Sequence, residues 1–328
     1  MPADKPAMSN KSTHIAILGA GAIGQLIFHQ LAPAKQIPYF FVRGESRDEQ
    51  VLSFCALSGK KSQTIARLVN LTEDKKQCSE RSGEDSVYSL AVQTRLLIVC
   101  VKAYQVKAAL KNLLPQLPTS CHILLLHNGM GPHLEIAPML SGRGLSLGTT
   151  SQGALRTESW SVKQTGEGVT QIGSLSGPSM TPDLKQLLIS AIPNIEWCEP
   201  ILPFLWQKLA INAAINPLTA IENCSNGALA AEKYRQQICD IVEEIVDVAL
   251  ATGVHLDKIS LTKRVFNVIG LTRANFSSMH QDVVNQRRTE IDNINGYVVE
   301  RAKEYGLTAE VNETLLKQVQ QLESGYLT

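Results

Sequence analysis

No apolar run in this chain approaches the roughly 20 residues that cross a bilayer, and Met1 to Thr13 is polar with no apolar signal core. That segment (1–13) reads as a flexible N-terminal tail. Charge of one sign is lacking too: 31 Lys and Arg balance 30 Asp and Glu, for a formal net charge of +1. No overall field draws the chain to nucleic acid or to an anionic membrane. The seven cysteines (Cys55, Cys78, Cys100, Cys121, Cys198, Cys224 and Cys239) include no CxxC pair and no Cys/His cluster at zinc spacing. No metal site is expected, and an odd set of thiols fits a reducing cytoplasm. Cys100 and Cys121 fall in strand-like runs, where cysteine serves as a small core hydrophobe. Internal repeats and low-complexity segments are absent as well. What is present, 328 residues with 44% hydrophobic and 19% charged, suits one large or two medium globular domains.

The first half alternates two periods. His14–Leu18 is a short β run, followed by Gly19-Ala-Gly-Ala-Ile-Gly24 and a helix to Ala32, and Pro38–Val42 is the next strand. Leu96–Val101 is continuously apolar, as in a parallel strand buried on both faces. A helix over 103–114 and a second buried strand over 121–126 follow. Strand and helix in alternation predict a doubly wound parallel sheet. Between Leu145 and Gly173, alternating Thr/Ser/Val segments with Gly turns predict antiparallel strands closing the sheet edge. After Trp197 only helical periods remain, over 203–220, 234–252, 257–270, 281–304 and 309–323, with Pro217 expected to distort or end the first and Gly253 and Gly306 to stop others. The fold class expected is α/β, a doubly wound sheet domain (14–199) and then an all-helical C-terminal domain (200–328), divided near Glu199-Pro200.

Gly19–Gly24 matches GxGxxG in the right context, a strand before and a helix after. Such glycines permit a tight turn and let a pyrophosphate reach the helix N-terminus, whose dipole and free N–H groups favour the anion. A plain Gly-rich turn would use the same residues, but the context favours a dinucleotide. Arg43, first off the second strand, suits the 2′-phosphate of NADP. Glu45 points toward NAD, unless it pairs with Arg47. Lys102 and the run His127-Asn128-Gly129-Met130-Gly131 each follow a buried strand, at the edge where open α/β sheets take ligands. A strand-end lysine and a simple turn are the structural alternatives.

The most informative segment is Pro203–Ala220. Lys208, Asn212 and Asn216 stand at i, i+4 and i+8, and each four-residue step advances a helix face by about 40°, so they form one stripe. Trp206, Leu209, Ala210, Ile211, Ala213, Ala214 and Ile215 surround them, with Gln207 the main polar exception. A helix apolar nearly all round is buried, so the stripe should meet a cavity, where a polar substrate could partner it. Burial lowers a lysine pKa, which helps an ammonium give a proton to a carbonyl oxygen as hydride arrives at its carbon. Snorkelling of Lys208 to solvent is the competing reading. Ser278 could be a helix N-cap, and Glu290, in Arg287-Arg288-Thr289-Glu290-Ile291-Asp292, one member of a solvated charge run.

Five motifs in order resemble the ketopantoate reductase (2-dehydropantoate 2-reductase) family: GAGAIG at 19–24, VKAYQV at 101–106, HNGMG at 127–131, WQKLAINAAINPLTAIENCSNG at 206–227, and SSMHQD with RRTEIDNINGY at 277–297. The resemblance runs from about His14 to Glu323. It implies an NADPH enzyme reducing 2-dehydropantoate to (R)-pantoate on the route to coenzyme A, with a Rossmann-type domain before a helical one. By the same resemblance Lys208 is the proton donor, while Asn212, Asn216, Asn226 and Ser278 hold substrate carboxylate and hydroxyl groups. Asn128 lies between cofactor and substrate. Gly19, Ala20, Gly21, Ala22, Ile23, Gly24, Arg43 and Lys102 contact the cofactor, as do Ala154 through its backbone and Glu290 near the reacting centre. Another branched 2-keto acid as substrate, or a non-catalytic NADPH-sensing module, are the alternatives. A monomer and a homodimer are equally compatible with the sequence.

Overall fold

The computed structural model describes residues 14–34, 37–44, 48–70 and 87–327; the tail 1–13, Glu45, Arg47 and Cys78 lie outside these described residues. β1 (His14–Leu18) leads through the glycine turn into α1 (Ala22–Leu31) and then β2 (Tyr39–Val42). β3 (Glu49–Cys55) and β4 (Lys61–Asn70) pair as an antiparallel hairpin. There follow α2 (Val87–Gln93), β5 (Thr94–Val99), α3 (Val106–Leu113), β6 (His122–Leu125), α4 (Pro132–Ile136) and β7 (Leu145–Thr150). β8 (Gly153–Glu158), β9 (Ser161–Gly166), β10 (Thr170–Ser176), α5 (Pro182–Ala191) and β11 (Ile195–Trp197) complete this half.

The strands form one 11-stranded sheet in the order β11-β10-β7-β6-β5-β1-β2-β4-β3-β9-β8. From β7 to β4 every pairing is parallel, so those strands end on one edge, and the order reverses beside β1. Loops at such a reversal diverge and leave a crevice for a ligand. Alternation sends Ile15 and Ile17 to one face, against Phe28 and Leu31 of α1 and Leu188 of α5. Ala16 and Leu18 go to the other, in an apolar core that continues through Val106 and Leu110 of α3 into the helical half. Each fully buried Leu, Ile or Phe there contributes roughly 1.5–3 kcal/mol relative to exposure.

One expectation about the strands is corrected. Segments 145–176 do not close a single edge. β7 and β10 pair near one end, whereas the β8–β9 hairpin crosses to the opposite end, where β9 runs parallel to β3 with Ser53 opposite Ser161. Its seat is set by α1, whose Gln25 Nε2 donates to the Ser159 carbonyl at 2.9 Å and whose Gln30 Nε2 donates to Gln152 Oε1 at 2.6 Å.

The helical half comprises α6 (Leu202–Ile221), α7 (Arg235–Ala251), α8 (Lys258–Leu271), α9 (Ser278–Val284), α10 (Asn295–Glu304) and α11 (Glu310–Ser324). α6 is the hub: α7, α8, α9 and α11 all pack on it, and its Trp206, 1% exposed, meets the Tyr297 ring at 5.6 Å. Two further expectations are corrected. The helix predicted over 281–304 is divided, because Gln286 takes φ 52° beyond α9 and a 3-10 turn (Ile291–Asn293) precedes α10. Pro217 does not end α6, which runs on to Ile221.

Candidate active site

The glycine turn is built by close approach. Gly19 has φ 109°, and a Cβ there would lie 2.8 Å from the Val101 nitrogen; one on Gly24 would lie 2.0 Å from the Gly19 carbonyl oxygen. These two glycines hold α1 against β1 and β5. Gly21 differs. It is the N-cap of α1, no side chain caps that end, and a Cβ would meet nothing within 4 Å. Open space thus stands before the free N–H groups of a ten-residue helix, as a pyrophosphate requires. Ala20 accepts from Gln25 Nε2 at 2.9 Å, and Ala22 and Ile23 form the first turn of α1. The residues present fit a dinucleotide.

Across the same sheet edge, the loop before α10 is fastened to the loops after β5 and β6. Lys102 Nζ donates to Asp282 Oδ2 at 2.6 Å and to Glu290 Oε2 at 3.3 Å. The Ala103 N–H donates to Glu290 Oε1 at 3.0 Å, and Asn128 Nδ2 donates to Glu290 Oε2 at 3.3 Å. A third tie is made by backbone: the Met130 N–H donates to the Asn293 carbonyl at 2.8 Å. Gly129, at φ 73°, is required for it, since a Cβ would lie 2.4 Å from that carbonyl oxygen. Burial alone would lower the Lys102 pKa, but the Glu290 and Asp282 carboxylates outweigh it and hold the ammonium above the usual lysine range. Burial pushes the Asp282 carboxyl up, against the pull of Lys102 and Arg287. Glu290 therefore sits in a polar knot between the two halves of the chain, on the broken segment rather than on a helix.

Lys208 lines a cleft with His127, Asn128, Gly129, Thr149, Leu205 and Leu209. It has no ion-pair or hydrogen-bond partner among the described residues. Desolvation, reinforced by the Arg264 charge, lowers its pKa. Burial likewise lowers the His127 pKa, keeping a neutral imidazole on the wall. Asn212 and Asn216 are each 7% exposed, and their side-chain amides have no partner among the described residues. Of the i, i+4, i+8 stripe, Lys208 lines the cleft, and Asn212 and Asn216 follow it on the same helix in buried positions. Lys208 itself is half-buried, on the wall of that cleft rather than on a fully exposed face.

Of the remaining candidates, Asn226 donates from Nδ2 to Thr272 Oγ1 at 2.9 Å, leaving its buried Oδ1 without a partner. Ser278 opens α9 with its side chain exposed. The N-cap is Ser277, whose Oγ accepts from the His280 N–H at 3.0 Å and from Thr219 Oγ1 of α6 at 2.7 Å. Arg43 is exposed at the end of β2, and Ala154 is half-buried in β8. These last two are not joined to the Lys208 cleft by any interaction among the described residues. Asp282 is an addition to the sequence reading, since a lone Asp resembles a solvated face; His127 belongs to the run after β6 already singled out, though its spacing assigned it no role of its own. Among the described residues, no group of three His, Cys, Asp or Glu could hold a metal ion, and no helix is long and apolar enough to cross a membrane.

A doubly wound sheet with an open glycine turn at its reversal point, and a helical half whose Lys208 lines a cleft with the loop after β6, define a dehydrogenase. The family profile described as "Ketopantoate reductase PanE/ApbA" matches residues 15–177, and that described as "Ketopantoate reductase PanE/ApbA C terminal" matches residues 201–323. The 2-dehydropantoate 2-reductase of Vibrio cholerae is 40% identical over 236 residues, covering 72% of this chain and 80% of that protein. The Yersinia pestis protein of the same name is 35% identical over 95% of this chain and 96% of its own length. Among solved structures, the ternary structure of D-mandelate dehydrogenase with NADH and anilino(oxo)acetate gives a TM-score of 0.84 at 23% identity, covering 96% of this chain and 99% of that one. That likeness speaks for the fold. The chain belongs to the ketopantoate reductase family.

Proposed function

We propose that this chain reduces 2-dehydropantoate to (R)-pantoate with NADPH, the nucleotide held by residues 14–199 and the substrate by residues 200–328. The observation that carries the reading is the unpartnered stripe of Lys208, Asn212 and Asn216 on a buried helix, headed by a lysine on the cleft that Asn128 shares. Three polar groups without protein partners on such a helix need a polar ligand. NADPH, when bound, supplies the hydride to the C2 carbonyl carbon. Lys208 then gives a proton to the carbonyl oxygen as charge develops there, and its lowered pKa eases the transfer. Asn212, Asn216, Asn226 and Ser278 bind the carboxylate and hydroxyl of the substrate through neutral groups. Gly21 and the first turn of α1 would hold the pyrophosphate, and Arg43 would pair with the 2′-phosphate. Lys102, Asn128, Glu290 and the Ala154 backbone would supply the remaining contacts to the cofactor. Free thiols at the six described cysteines support a reducing, cytoplasmic setting.

The test is a panel of 2-keto acids with NADPH and NADH, followed by loss of nicotinamide absorbance. Ketopantoate with NADPH should turn over fastest; a faster branched 2-keto acid would overturn the substrate. Lys208→Ala should lower kcat by about 10²–10⁴-fold, the usual worth of a general acid, while NADPH affinity stays unchanged. In the unmodified enzyme, kcat/KM should fall as pH rises through a value below the usual lysine range. Full turnover by Lys208→Ala would reject the proton donor, and no turnover of any 2-keto acid would favour a sensor.

A further inference from the structure

The backbone of α6 contains a defect in the middle of the stripe. Pro217 has no N–H, so the Ala213 carbonyl one turn earlier loses its helical donor. Ala213 lies between Asn212 and Asn216, and it is fully buried. A carbonyl orphaned there would draw water or kink the helix. Here Asn295 Nδ2 takes the place of the missing donor, donating to the Ala213 oxygen at 3.2 Å.

Asn295 does not act alone. Its Nδ2 also donates to Asn312 Oδ1 at 2.9 Å, and Asn312 Nδ2 donates to Glu244 Oε2 at 2.7 Å. Glu244 further accepts from the N–H groups of Val311 and Asn312 at 2.8 and 3.0 Å, capping the start of α11. The Glu244 carboxylate can only accept. It therefore turns the Asn312 amide nitrogen outward, presents Oδ1 to Asn295, and so aims the Asn295 amide nitrogen at the broken turn. Asn295 and Asn312 are both fully buried. One polar chain, Glu244–Asn312–Asn295–Ala213, thus joins α7, α11, α10 and α6.

We propose that Asn295 is a positioning residue for the reaction: it replaces the hydrogen bond that Pro217 removes and keeps Lys208 and Asn212 in line with Asn216. This rests on the reading of that stripe as the substrate wall. It predicts suppression. Asn295→Ala leaves the Ala213 carbonyl and Asn312 Oδ1 unpaired and lets α6 bend at Pro217. Pro217→Ala restores the N–H and makes the Asn295 bond to α6 dispensable.

The experiment compares wild type, Asn295→Ala, Pro217→Ala and the double variant in ketopantoate kinetics, NADPH affinity and amide exchange of α6. Asn295→Ala should lose at least about tenfold in kcat/KM for ketopantoate, the cost of a buried acceptor left unpaired, with NADPH affinity unchanged and faster exchange on both sides of Pro217. The double variant should recover most of the kinetics and protection. Wild-type kinetics in soluble, folded Asn295→Ala, or no recovery in the double variant, would overturn the proposal. Should Asn295→Ala fail to fold, folding of the double variant supports it and failure of the double variant refutes it. Loss of the Lys208→Ala effect would instead sink the reading of the stripe, leaving exchange along α6 to judge the role of Asn295.

Discussion

Gly21 and Gly24 stand three residues apart in one turn, and the structure assigns them opposite failures on substitution by alanine. At Gly21 the added methyl meets nothing within 4 Å, and the backbone at φ −73°, ψ −174° is one any residue adopts. Alanine removes unfolded-state entropy worth about 0.4–1 kcal/mol and is a poorer N-cap than glycine by a similar amount. Stability without ligand should therefore stay within about 0.5 kcal/mol of wild type. The methyl instead occupies the space before the α1 N-terminus, and a pyrophosphate kept from those N–H groups loses charge-assisted bonds worth about 1.5–3 kcal/mol. NADPH affinity should fall roughly 10–100-fold. At NADPH one hundred times the wild-type Kd, ligand stabilisation of about 2.7 kcal/mol would drop to roughly 0.9 for a thirtyfold loss. At Gly24 the methyl would lie 2.0 Å from the Gly19 carbonyl oxygen, so α1 must shift, and stability without ligand should fall by about 3 kcal/mol, the upper range for overpacking. Urea titrations of both variants with and without NADPH separate the two outcomes. Wild-type NADPH affinity in Gly21→Ala would refute the turn as a pyrophosphate cradle.

Two other outcomes are expected. Arg43→Ala should weaken NADPH about tenfold, as for a charged hydrogen bond at an exposed site, and NADH far less; equal affinity of the unmodified protein for both nucleotides would remove Arg43 from the 2′-phosphate. His29, His122 and His133 are each held by burial at about 4, down from 6.5. Below the unfolded value the unfolded chain takes up protons that the native state refuses, so stability is complete above about pH 6.5 and is lost as pH falls toward 4, by about 1.4 kcal/mol per pH unit for each histidine. Urea midpoints between pH 7.5 and 5 should show it, His29→Phe should flatten the slope, and a pH-independent midpoint would contradict it.

The sequence was most legible where one local rule governs one element. The buried strands at β5 and β6, the glycine turn and the Lys208 stripe follow from periodicity and burial. Where two distant segments share a decision, local rules failed. Pro217 should break a helix by its own chemistry, and only Asn295, far along the chain, shows why it does not. The apolar period over 281–304 is genuine, yet Gln286 leaves the helix because Glu290 and Asn293 are bound by the loops after β5 and β6. That break is what brings Glu290 to Lys102 and Asn128, so the site depends on an irregularity no helical period reports. The Thr/Ser/Val segments were recognisable as strands. Which end of the sheet they join is fixed by α1 through Gln25 and Gln30, a contact that composition does not encode.

The crossing of β8–β9 to the far end of the sheet has a consequence for synthesis on the ribosome. β3 is made early, paired on one side to β4, and its other side waits for β9, about a hundred residues later in the chain. Until Ser161 emerges, the nascent domain carries a bare strand edge, the kind that recruits other chains. Any fragment ending before the hairpin keeps that edge for good. Expression of the sheet half therefore requires everything through β9, including segments that add nothing to the cleft.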